Sequence, residues 1–218
     1  MNASDAARTI GDHLRRIPRR WVGKKAILAM RDGGSRHWRQ MEWIGFYFQF
    51  LCERHLQDVV DMPGPKHGRV SFDAFLTIPW DFKAHAVNTM SHQIIVNDST
   101  ATAWAIKEFG AVGLILAVGK VRYNDASRSF QRWHQKVKGG MSRYEQQRVA
   151  RGAWSRLRKT SFTLEQLSFI HITDDTLVRC GTFQMNFRNS NDRPRRPKVL
   201  INLEQLHREE MIHYVDFA

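Results

Sequence analysis

The chain has 218 residues, 42% hydrophobic and 25% charged, enough for one sizeable core and unlike the composition of a disordered segment. Its 34 Lys and Arg outnumber 21 Asp and Glu, giving a net charge of +13 and a pI near 10.3, so the expected partner is a polyanion, nucleic acid first. Apolar runs fall short of the roughly 20 residues that span a bilayer, the basic N-terminus lacks the apolar core of a secretory signal, and Cys52 and Cys180 lie far apart without metal-type spacing, a pattern that excludes membrane insertion and a disulfide framework and suits the reducing cytoplasm.

In chain order, residues 1–38 form a basic segment: ten Lys and Arg up to residue 39 face Asp5, Asp12 and Asp32. From 39 to 57 the pattern becomes helical, with Ile44, Phe48, Leu51, Cys52 and Leu56 on one stripe. Pro63, Gly64, Pro65 and Gly68 end it. Residues 69–76 then alternate with period two, Val70, Phe72, Ala74 and Leu76 opposing Ser71, Asp73, Phe75 and Thr77. Pro79 marks a tight connection, and 80–87 alternate again, with Asp81, Lys83, His85 and Val87 on one face, so a hairpin is expected. A third strand over 93–97 leads to a cap at Asp98 or Ser99 and a helix over 100–109. Residues 112–121 are apolar on both faces, as in a strand buried within a sheet. The order is α-β-β-β-α-β.

Beyond it, residues 127–160 read as basic helices broken at Gly139 and Gly140, and the region 120–160 carries twelve Lys and Arg against Asp125 and Glu145. That excess is too one-sided for an intrahelical salt-bridge ladder. It points Arg128, Arg132, Lys136, Lys138, Arg143, Arg148 and Arg151 at nucleic-acid phosphates or guanine edges, with Trp133 and Trp154 as packing residues or base-stacking platforms. The remainder suggests a short helix near 164–167, strands around 168–173, 177–187 and 198–203, and Asp174 and Asp175 as turn residues. Arg193, Arg195 and Arg196 lie in a Pro-rich loop that either enters a DNA groove or is simply a charged surface loop.

The hairpin gathers the chemistry. Asp81 and Lys83, two apart on one strand, leave the same face about 6–7 Å apart along it, and Asp73 meets Asp81 if the hairpin pairs in register. Hard oxygen ligands of this kind suit Mg²⁺, which keeps several waters and takes one or two carboxylates plus substrate phosphate. Phosphodiester hydrolysis uses such an ion to neutralise charge and acidify a water, with Lys83 stabilising the phosphate and His85, next on the same face, as an auxiliary contact or a structural histidine. The plainer reading of Asp81 and Lys83 is a surface ion pair. No Gly-rich phosphate loop, Ser-His-Asp spacing or His/Cys zinc pattern occurs.

Asp73 followed by Asp81-Phe82-Lys83 within this order resembles the PD-(D/E)XK nuclease superfamily, whose largest membership is type II restriction endonucleases. Phe72 stands where the motif has Pro, and Asp81 where Glu is commoner. The resemblance covers about residues 39–121. It implies an α/β (α+β) restriction-endonuclease-like core with a mixed central sheet flanked by helices, within a single endonuclease domain over 1–218 whose residues 122–218 hold DNA-recognition elements and C-terminal strands. It further implies Asp73, Asp81 and the Phe82 carbonyl as metal ligands, Lys83 as catalytic lysine, and Glu53 as an auxiliary acid for metal or water. The expected function is sequence-specific cleavage of double-stranded DNA with Mg²⁺, Mn²⁺ substituting. A homodimer suits a palindromic target, and a monomer of this size is feasible. The alternatives are a structure-specific repair or recombination nuclease of the same fold, and a non-enzymatic basic nucleic-acid-binding protein.

Overall fold

The computed structural model describes residues 1–89, 91–124, 126–153, 156–185 and 196–217. In chain order the elements are α1 (Ala3–Leu14), β1 (Arg20–Val22), α2 (Gly23–Asp32), a 3₁₀ turn (Arg36–Arg39), α3 (Trp43–Leu56), β2 (Lys66–His67), β3 (Val70–Ser71), β4 (Ala74–Leu76), β5 (Ile78–Ala86), β6 (Gln93–Asp98), α4 (Ser99–Phe109), β7 (Val112–Tyr123), α5 (Ser129–Val137), α6 (Arg143–Ala150), β8 (Lys159–Ile172), α7 (Asp174–Cys180), β9 (Gly181–Gln184), β10 (Lys198–Asn202) and β11 (Met211–Asp216). The architecture is mixed α/β with seven α-helices among the described residues. None is long and apolar enough to cross a membrane.

The main sheet runs β1-β8-β7-β5-β4, with β11 also on β8. It is mixed: β5 and β7 are parallel, joined through α4, and the other pairs are antiparallel. β7 lies at its centre because VGLILAV is apolar on both faces and can be buried on both. Ala111, Ile115 and Ala117 face a core shared with Trp80, Phe82, Phe169 and helices α1 to α3; Val112, Leu114 and Leu116 face a second core under α4, with Val96, Val199 and Ile201. Trp80 stands opposite Gly113 in register, where a Cβ would lie 2.2 Å from the indole. The expected stripe of α3 is buried in full, and Asp98 caps α4 by accepting from the amides of Thr100 and Ala101 at 3.1 and 3.2 Å.

Several expectations are corrected. The strand over 69–76 is interrupted at Phe72 and Asp73: β3 pairs with β2, while Phe72 exchanges backbone hydrogen bonds with Gly64 and Pro65. The hairpin turns at Thr77, at φ 65°, and Pro79 is inside β5, opposite Phe75. Residues 164–167 are extended, because β8 pairs with β7 along its length and buries Phe162, Leu164 and Leu167; pairing and burial override the helix preference of Leu-Glu-Gln-Leu. Asp174 and Asp175 open α7, capped by Thr173, where a strand over 177–187 is expected; only Gly181–Gln184 is extended among the described residues there. The basic segment 1–38 also contributes to the core, through Ala6, Ala7, Ile10 and Leu14 of α1 and Ala26, Ile27 and Met30 of α2. β6 joins a separate sheet, β6-β10-β9.

Candidate active site

β4 has three residues and covers β5 only as far as Trp80, so among the described residues one edge of β5 has no strand partner in the sheet from Asp81 to Ala86. Unpaired edge amides need another acceptor. Asp73, at the start of β4, supplies one: its Oδ2 accepts from the Phe82 amide at 2.7 Å. Because the N–H and C=O of a strand residue point to the same edge, the Phe82 carbonyl faces the open side too. The register that pairs Ala74 with Trp80 carries Asp73 to Asp81.

Asp81 is 2% exposed and therefore no surface ion pair. Its Oδ2 accepts from Asn97 Nδ2 at 2.9 Å and lies 3.7 Å from Lys83 Nζ. Burial pushes its pKa up to about 6; Lys83 opposes the rise, and the neighbouring Asp73 charge adds to it. Asp73 is also raised by burial, against Lys83, the Phe82 amide and His37. Two carboxylates thus share one ammonium in a desolvated corner, an arrangement that leaves excess negative charge when both ionise.

A cleft of about 490 Å³ opens along this edge between α3 and β6, lined among others by Asp73, Phe82, Lys83 and His85. Asp81 does not line it and lies beneath. His85, two residues beyond Lys83, is half-buried, and burial, then His92 and Lys159, hold its pKa below the usual histidine value, so it is neutral at pH 7. A second cleft of about 510 Å³ on the other side of Asp73 is lined by Glu53, Gln49 and Gln57. Glu53 accepts from Gln49 Nε2 at 3.1 Å, and its pKa is raised by burial and by Asp73. Asp73 and Gln49 line both clefts.

Comparison with protein-family models, curated proteins and solved structures finds no match. The chemistry of the site has to be read from its own residues.

Among the described residues no three His, Cys, Asp or Glu side chains converge as a metal cage. The donor set is smaller and harder: two repelling carboxylates and a backbone carbonyl on the open edge. It fits an ion that takes one or two carboxylates and keeps its waters, as Mg²⁺ does, and not a zinc cage of nitrogen and sulfur.

The expected nucleic-acid contacts are dispersed. Arg132, Lys136, Arg143 and Arg151 are exposed on α5, α6 and the turn after α6. Arg128 caps α5 with φ 54°, its Nη1 3.3 Å from Gln131 Oε1. Arg148 donates to the Ala153 carbonyl and stacks over Tyr144 at 5.8 Å. Lys138 is half-buried beside Met41. Arg196 is exposed, with Nη1 3.9 Å from Asp98. Trp133 packs on Phe130 and beneath Lys24. Arg193, Arg195 and Trp154 lie outside the described residues. Asn97, Gln49 and Lys159 join the site without sequence warning; Asn97 lies on a strand of another sheet, 16 residues from the carboxylate it serves.

Proposed function

We propose that this chain is a Mg²⁺-dependent endonuclease that hydrolyses phosphodiester bonds in double-stranded DNA, built on a PD-(D/E)XK core of the restriction-endonuclease type and cutting at specific sequences. The observation that carries the reading is the meeting of Asp73, Asp81 and Lys83 beside the Phe82 carbonyl, at an uncovered strand edge that opens into a cleft. Asp73 and Asp81 would hold the cation, with the Phe82 carbonyl beside them; Mn²⁺ has the same preferences and would substitute. When bound, the ion neutralises phosphate charge and acidifies a water. Lys83, at the cleft wall, places a point charge on a nonbridging phosphate oxygen. The Phe82 amide and Asn97 hold Asp73 and Asp81 in position. His85, neutral, offers a nitrogen to a water or sugar oxygen, and Glu53 orients solvent from the second cleft.

A positively charged protein has the electrostatics to bring duplex DNA to this cleft. The low exposure of Asp81 favours one rival, a non-enzymatic DNA-binding protein in which the carboxylates serve the fold. Incubating DNA of known sequence with Mg²⁺ and with EDTA separates them. Discrete fragments with Mg²⁺ alone are expected; cleavage confined to nicks or junctions would indicate a structure-specific nuclease, and salt-sensitive binding without strand breakage would leave only the rival.

A further inference from the structure

The cleft that ends at Lys83 has a second cationic end, away from the outer faces of the basic helices. Lys159 lines it, together with Glu42. The backbone there is fixed on both sides: Trp43 Nε1 donates to the Lys159 carbonyl at 2.8 Å, and the Asn124 amide donates to the Arg158 carbonyl at 2.7 Å. The Arg158 side chain is only 13% exposed, and its Nε is buried with no hydrogen-bond partner among the described residues. Lys138 is half-buried close by, and its pKa is lowered by burial and by the positive charges of Arg158 and Arg39.

Buried cations are expensive unless paired. Lys138 has Glu145 as its counter-charge, a carboxylate that Gln131 hydrogen-bonds at 2.8 Å. The counter-charge of Arg158 and Lys159 is Glu42: it lies 3.7 Å from Arg158 Nη1 and 3.5 Å from Lys159 Nζ, but is itself 66% exposed. One solvated carboxylate at such distances does not balance the two cations it touches. A group with several acceptor oxygens would, and a phosphodiester supplies them.

We infer that Arg158 and Lys159 form a clamp for a backbone phosphate of the DNA strand whose scissile phosphate reaches Lys83, with Glu42 as the occupant the phosphate displaces. The inference rests on the proposed nuclease reading, since it assigns a substrate contact in the same cleft. It orients the strand along the cleft from β8 to β5 and sets two signs. Removing a clamp cation weakens DNA binding; removing the Glu42 charge strengthens it.

The test is duplex binding by fluorescence anisotropy in EDTA across a salt series, with folding of each variant verified by circular dichroism. Lys159→Gln and Arg158→Gln should each reduce the slope of log K against log salt by about 0.9, equivalent to about eight-fold weaker binding at 0.1 M salt. Lys159→Gln acts on the more exposed side chain, at 31%, and carries the test if Arg158→Gln fails to fold. Glu42→Gln should tighten binding several-fold. Unchanged slope and affinity in folded Lys159→Gln, or weaker binding by Glu42→Gln, overturns the clamp. Because EDTA removes the chemistry, the two failures are separable. A parent that binds as expected but never cuts with Mg²⁺ overturns the nuclease reading alone; a parent that cuts while its clamp variants bind normally overturns the clamp alone.

Discussion

Replacing Asp81 by Asn removes the carboxylate that the fold buries most deeply at the site, while keeping its shape. Burial raises the Asp81 pKa from 3.8 to about 6, so the folded chain holds this proton more tightly than the unfolded one. The stability that the protonated group contributes is whole below about pH 4 and is lost as pH rises through about 6. At 1.36 kcal/mol per decade of acidity, ionised Asp81 costs the fold about 3 kcal/mol at pH 8. Asn avoids that cost but forfeits the attraction of Lys83, 3.7 Å away. Asp81→Asn should therefore be about 1–3 kcal/mol more stable than the parent at pH 8, about 2–12 °C in Tm for a chain of this size, and no more stable at pH 4. Mg²⁺ should stabilise the parent at pH 8, by about 2.7 kcal/mol at one hundred times its Kd, and leave Asp81→Asn unmoved. Thermal unfolding followed by circular dichroism at pH 4, 6 and 8, with and without Mg²⁺, measures both. A variant less stable than the parent at pH 8, or equal Mg²⁺ shifts in the two proteins, would refute the reasoning.

Other outcomes follow from the same geometry. Gly113→Ala sets a methyl against the buried Trp80 ring and should cost about 1–3 kcal/mol by overpacking, read as a lower midpoint in denaturant; an unchanged midpoint would mean that the strand moves freely. Asp98→Ala removes both cap hydrogen bonds of α4 and should cost about 1–2 kcal/mol. It should also slow cleavage, because Asp98 adjoins the Asn97 that holds Asp81; full activity in the folded variant would deny that link. At subsaturating Mg²⁺, cleavage should rise about tenfold per pH unit below about 6 as Asp81 ionises, then level, with more Mg²⁺ moving the rise to lower pH. A flat profile from pH 5 to 8 would contradict this.

The parts of the fold legible in the sequence are those with a local cause. A β-branched-rich run apolar on both faces suits a doubly covered strand, and β7 is one; the stripe from Ile44 to Leu56 and the cap at Asp98 are likewise complete within a few residues. The pairing of Asp73 with Asp81-Phe82-Lys83 was legible because a hairpin is local. Its detail was not: Asp73 leaves the ladder and becomes a side-chain acceptor for the strand edge that β4 is too short to cover. Residues 164–167 show the opposite case, where Leu-Glu-Gln-Leu prefers a helix and strand partners on both sides prevail. Asn97 beside Asp81, and Glu42 beside Arg158 and Lys159, arise from contacts between distant segments, which no spacing along the chain encodes.

The central claim is that Asp73, Asp81 and Lys83 act together on a phosphodiester. Lys83→Ala tests it most directly, because Lys83 lines the cleft and its loss leaves both carboxylates in place. Plasmid DNA incubated with Mg²⁺ and the folded variant should remain essentially uncut, with cleavage down at least a hundredfold, in the range found when a single charge-stabilising group is removed, while duplex binding in EDTA stays within a few-fold of the parent. Cleavage by Lys83→Ala at the parent's rate would contradict the account.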